Sequence, residues 1–135
     1  MKRLLCFLFI INSCIAAELV DVIEKIKPSV VGIGVFTPTG RPKNQLNGSG
    51  FAIGTGQYVV TNHHVLPKEL DPALLQQMAV FVGSGKQAIV REAEVIASSK
   101  EHDLAVLKVK GAPIPAMALA SGELSKEGTT VAFTG

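Results

Sequence analysis

The 135-residue sequence has no tryptophan, one tyrosine and two cysteines, and only 5% of it is aromatic. Both cysteines, Cys6 and Cys14, lie before Ala17 in a stretch laid out like a secretory signal peptide. Lys2 and Arg3 supply positive charge, Leu4 to Ile11 ("LLCFLFII") is apolar, and small residues end in Ala16 and Ala17. The apolar run is too short to cross a bilayer as a helix, which takes about 20 residues. Cleavage after Ala17 is expected, and Asn12 fits poorly with a lipoprotein site at Cys14. Residues 18–135 then hold no cysteine, which excludes a disulfide scaffold, a thiolate zinc site and a cysteine nucleophile. Such a domain must hold together by core packing.

Charge of one sign is also lacking. The formal net charge is +2, and removing Lys2 and Arg3 leaves 11 basic against 11 acidic residues. With no basic cluster and no acidic block, neither a nucleic-acid partner nor a solvating tail is expected. Nor is stable membrane insertion expected once the leader is gone. The length suits one domain, and there is no internal repeat.

What is present is glycine, valine, isoleucine and alanine in short runs. Glu18 to Lys27 predicts a short helix, with Leu19, Val22, Ile23 and Ile26 at helical spacing and Pro28 as its stop. Ser29 to Thr37, Ser49 to Ile53, Gln57 to Thr61, Met78 to Val82, Ala88 to Ala97, Leu104 to Val109 and Thr129 to Phe133 predict strands. Pro38 to Asn47 reads as a surface loop, "GTG" at Gly54 to Gly56 as a tight turn and "GSGK" at Gly83 to Lys86 as a hairpin turn. Within Pro67 to Gln77, "DPALLQQ" suggests a helical turn. Short strands with glycine-rich turns and no long helix between them predict an all-β barrel or sandwich.

Two of the three histidines, His63 and His64, are adjacent. On an extended segment they point to opposite faces and cannot share an ion. No HExxH pattern is present and His102 has no ligand-like spacing, so no metal site and no cofactor are expected. His64 follows "VVTN" at the end of an apolar strand, where a general base can be held rigidly yet reach solvent. Asp103, just before the apolar strand "LAVLKV", is the best partner for it. From these residues alone two readings stand. The pair is a base and its orienter, or His64 caps a strand and Asp103 is a solvated turn residue.

The segments "NGSGFAIGTGQYVVTNHHVL" and "MAVFVGSGKQAIVREAEVIASSKEHDLAVLKV", after "VDVIEKIKPSVVGIGV", resemble the trypsin-like serine proteases of the bacterial HtrA (Deg) family. The resemblance runs from Glu18 to Gly135. It implies an all-β fold, the first β-barrel of a chymotrypsin-fold, two-barrel protease, preceded by a short helix and the signal peptide. It implies a secreted or periplasmic serine endopeptidase acting on protein or peptide substrates, with His64 as general base and Asp103 as its orienter. Thr61, Asn62 and Val65 are then frame residues, and His63 a surface or supporting residue. A homo-oligomer is an expectation for a full-length form. The family's third catalytic group is a serine in a GNSGGP-like loop of the second barrel. No such segment occurs here, and neither Ser49 nor Ser84 lies in a nucleophile elbow. The nucleophile is therefore expected to be absent from this chain, which reads as an N-terminal half, inactive alone. The alternative is a non-catalytic peptide- or protein-binding module.

Overall fold

A computed structural model describes residues 19–122 and 124–134. The leader, both cysteines and the expected cleavage site lie outside these residues. Residues 19–26 are helical, and Pro28 is the second residue of a 3-10 turn, Lys27–Ser29, that delivers the chain into the first strand. Proline is well suited to that first-turn position, because its missing N–H has no helical partner to lose.

Six strands follow: β1 (Val30–Phe36), β2 (Asn44–Ile53), β3 (Tyr58–Thr61), β4 (Gln77–Val82), β5 (Ile89–Ser99) and β6 (Leu104–Val109). They close into a barrel in the order β1-β2-β3-β6-β5-β4, with every neighbouring pair antiparallel. The all-β expectation holds, and of barrel and sandwich it is the barrel that forms. Alternation decides which side chains face inward. Along β6, Ala105, Leu107 and Val109 are buried while Leu104 and Lys108 are exposed. Ile33, Val59, Val80 and Leu107, contributed by four different strands, are fully buried in the core.

Glycine shapes the barrel at two places. Gly34 follows an irregularity in the β1–β2 register, and a Cβ there would stand 1.9 Å from the Gln45 carbonyl oxygen. Only glycine lets those backbones approach so closely. Gly56, at φ 80°, ends the turn between β2 and β3, and its carbonyl accepts a bond of 2.8 Å from the Ile114 N–H. That bond seats Ile114, which is buried, at the end of the barrel. The Met117 N–H donates to the Ala52 carbonyl at 2.7 Å and ties down the next stretch.

Three expectations need correction. The loop between β1 and β2 is shorter than 38–47, because Gln45 and Asn44 pair with Val35 and Phe36 and extend β2. Their side chains are polar and outward, so they carry no apolar alternation to read. The strand predicted at Thr129 to Phe133 does not form; these residues are exposed and outside any ladder. Its β-branched pattern lacks an edge to join, since the closed barrel has none free. Finally, His63 and His64 are not on an extended segment. They sit in a 3-10 turn, His63–Val65, just past β3.

Candidate active site

The turn carrying the two histidines is pinned at both ends. At its start, Thr61 is buried and its hydroxyl donates to the Ser49 carbonyl at 2.8 Å. At its finish, Val65 is buried and its carbonyl accepts from the Asn47 side-chain amide at 3.2 Å. Val65 reaches its seat because Gly48 has no side chain; a Cβ there would lie 2.7 Å from a Val65 methyl. Apolar packing under Val65 thus fixes the turn, while His64 on its outer side remains in solvent, its side chain 72% exposed.

Asp103 reaches the same spot from the neighbouring strand's end of the barrel. It ends the turn between β5 and β6, and its N–H donates to the Lys100 carbonyl at 3.3 Å. Its φ of 51° lies in the left-handed region, which aspartate tolerates better than most non-glycine residues. Pairing of β3 with β6, with Thr61 opposite Ala105, brings the ends of the two strands together.

The carboxylate clasps His64 at two points. Oδ1 accepts from the His64 backbone N–H at 2.9 Å, and Oδ2 lies 2.6 Å from the His64 ring Nδ1. The Asn62 amide Nδ2 adds bonds to the Asp103 carbonyl at 3.0 Å and to Oδ2 at 3.3 Å. Asp103 is held below the usual carboxylate range, first by the backbone N–H of His64, then by its ring. An ionised carboxylate only accepts, so the proton between the groups belongs to Nδ1. In a neutral ring of that tautomer Nε2 keeps its lone pair, and among the described residues Nε2 makes no hydrogen bond. Such a nitrogen can accept a proton while the carboxylate steadies the resulting imidazolium.

The expected pair is therefore brought into contact, and the remaining sequence candidates lie apart from it. His63 is partly buried, with its Nδ1 sealed and unpartnered among the described residues. His102 bonds through Nδ1 to the Ser99 hydroxyl at 2.9 Å, inside its own turn. Ser49 offers its carbonyl to Thr61, Ser84 precedes the 3-10 turn Gly85–Gln87, and neither bonds to His64. No group of three or more His, Cys, Asp or Glu side chains converges on a point among the described residues. A cleft of about 500 Å³ has Thr61, Asn62 and Leu104, chain neighbours of the pair, in its wall, but neither His64 nor Asp103 is among its lining residues. Another, of about 540 Å³, lies between β1, β2 and β4, with Val31, Leu46 and Phe81 in its wall.

Sequence reasoning did not find the reach of the Asn62 side chain. The resemblance marks Asn62 only as a frame residue, and its place directly between a strand and a histidine usually serves a cap.

Residues 48–135 match the family model of the trypsin-like peptidase domain. Among solved structures, the chain is similar to the serine endoprotease from Yersinia pestis, with 24% identity and a TM-score of 0.58 over 78% of this chain. It is similar to Deg5, with 26% identity and a TM-score of 0.63 over 84% of this chain. The matches take in 34% of the Yersinia chain and 53% of Deg5, so this chain spans a third to a half of their lengths. No curated protein matches it. No helix among the described residues is long and apolar enough to cross a membrane.

Proposed function

The chain belongs to the trypsin-like peptidase domain family, and on that premise we propose that it carries the acid–base half of a Ser-His-Asp endopeptidase site. The observation that supports this best is the two-point clasp of Asp103 on His64. His64 is the general base and Asp103 its orienter. Nε2 takes the proton from a serine hydroxyl as that oxygen attacks the peptide carbonyl, then returns it to the leaving amine. Asp103 fixes the tautomer throughout and stabilises the imidazolium. The serine and the oxyanion donors belong to a second barrel outside these residues. Without them the pair contributes little, since the base has no hydroxyl to activate and the tetrahedral intermediate no donors to stabilise it. The substrates are proteins or peptides, and the leader at residues 1–17 directs the domain to the periplasm or out of the cell.

The test is made on the protein purified from its source, with and without substitutions. Intact mass reports whether a serine-bearing barrel accompanies residues 18–135. Hydrolysis of an unfolded protein substrate reports the role of each histidine. His64→Ala is expected to lower kcat about 10⁴-fold or more, because triad members act as a unit. His63→Ala should leave most of the activity. Equal loss from both substitutions would overturn the assignment. A product of barrel mass alone that binds peptides equally well with His64→Ala would favour the non-catalytic module instead.

A further inference from the structure

Asn62 stands immediately before the 3-10 turn that carries His64, in extended backbone at φ −79° and ψ 146°. Asparagine at such a position normally accepts a bond from a backbone N–H in the turn. Here its side chain makes no capping bond. The amide is turned the other way, as a donor, across 41 residues of sequence to Asp103. Nδ2 has two hydrogens and faces two oxygens, the Asp103 carbonyl at 3.0 Å and Oδ2 at 3.3 Å. The opposite amide orientation would put oxygen against oxygen, so chemistry fixes which atom is the nitrogen.

Asp103 needs holding. Its left-handed backbone is a conformation that non-glycine residues keep only when the surroundings determine it. Among the described residues, the hydrogen bonds accepted by its carbonyl and carboxylate come from Asn62 and His64. The bond to the carbonyl fixes the peptide beyond Asp103, and the bond to Oδ2 fixes the carboxylate against His64. We propose that Asn62 is a positioning residue, which locks the backbone and carboxylate of Asp103 in the one arrangement that grips both the backbone and the ring of His64. This rests on the reading of His64 and Asp103 as base and orienter.

The experiment is NMR on the isotopically labelled chain, in wild type and in the variants Asn62→Ala and Asn62→Asp. It follows the low-field proton on His64 Nδ1 and the titration of the Asp103 carboxyl carbon. Asn62→Ala removes the donor. Asn62→Asp keeps the shape but replaces the donor with an acceptor, so it covers the case in which the alanine variant does not fold. In both variants the Nδ1 proton is expected to move upfield or broaden away, and the Asp103 midpoint to rise, further in Asn62→Asp because of the like charge. A merely structural Asn62 would lower the unfolding temperature yet leave both signals at their wild-type positions, and that result overturns the proposal. Failure of the underlying reading looks different. In that case wild type itself shows no low-field Nδ1 proton, whatever occupies position 62.

Discussion

At Asp103 backbone conformation and chemistry meet in one residue, and substitutions there separate the two. Asp103→Asn keeps a side chain that tolerates the left-handed region and can still accept from the His64 N–H. It loses the charge and can stabilise the wrong ring tautomer, so kcat in a complete enzyme should fall about 10⁴-fold, and the lost carboxylate contacts should lower the unfolding temperature modestly at neutral pH. Asp103→Ala loses the clasp and places a Cβ with no local hydrogen bond at φ 51°. It should lower the unfolding temperature more than Asp103→Asn does. Paired thermal melts decide this, and equal melts would mean that the left-handed backbone costs the fold nothing. Acid supplies a third test. Because Asp103 is held below its ordinary value of 3.8, folding favours its ionised form. That contribution is complete above the ordinary value and disappears as pH falls through the lowered one. Wild type should therefore lose stability relative to Asp103→Asn as pH falls into that range, and the gap between them should close. That His64 and Asp103 could meet was legible, since each sits next to an apolar strand, while their roles came only from the family resemblance. The Asn62 bond was not, because an asparagine ahead of a turn reads as a cap for that turn and gives no sign of a distant partner.

Strands were legible where one face is buried and obscure where neither is. β6 alternates cleanly, and its residues 104–109 match the strand expected there. The start of β2 at Asn44 escapes a sequence reading because its first four residues are exposed. The segment 129–133 misleads for the opposite reason: β-propensity describes a side chain's fit to a sheet, and here no sheet edge is available to it. Glycine identity within β1 was likewise silent in the sequence. Gly34→Ala drives a methyl into the Gln45 backbone carbonyl, and neither the Cβ nor the carbonyl can rotate away. It should cost about 3 kcal/mol or more by overpacking. Among the described residues beyond its chain neighbours, Gly85→Ala meets no atom within 4 Å, but its φ is 60°, so backbone strain is what opposes it. That should cost about 1–2 kcal/mol. Urea unfolding at unchanged slope measures both. The reverse ranking would show that β1 and β2 can part locally without loss of the barrel.

Closure is a property of the whole molecule: the strand pattern alone left it open between barrel and sandwich, and the family resemblance implied the barrel that forms. It depends on β1 meeting β4 and β3 meeting β6, pairings between strands that are not consecutive. Each strand's inward residues then enter one shared core, and the strength of any single position follows from that sharing. Leu107 is at 0% exposure, among residues from the other strands. Phe133 is larger and at least as apolar, yet 96% exposed. Size and hydropathy alone would rank Phe133 as the costlier loss. Burial reverses the order. Leu107→Ala removes atoms whose cavity the rigid ring of strands cannot collapse to fill, and should destabilise the chain by about 2–5 kcal/mol. Phe133→Ala removes nothing from the core and should stay within about 0.5 kcal/mol of wild type. The same reasoning protects the site, because the His64 turn rests on Val65 and the Asp103 turn leads into β6, both parts of the core that Leu107 joins. In Leu107→Ala the His64–Asp103 signal should therefore fade in the same transition as the barrel unfolds, not before it. If Phe133→Ala cost as much as Leu107→Ala, residues beyond Met117 would be packing against the barrel in solution, and the barrel would not be the whole of the folding unit.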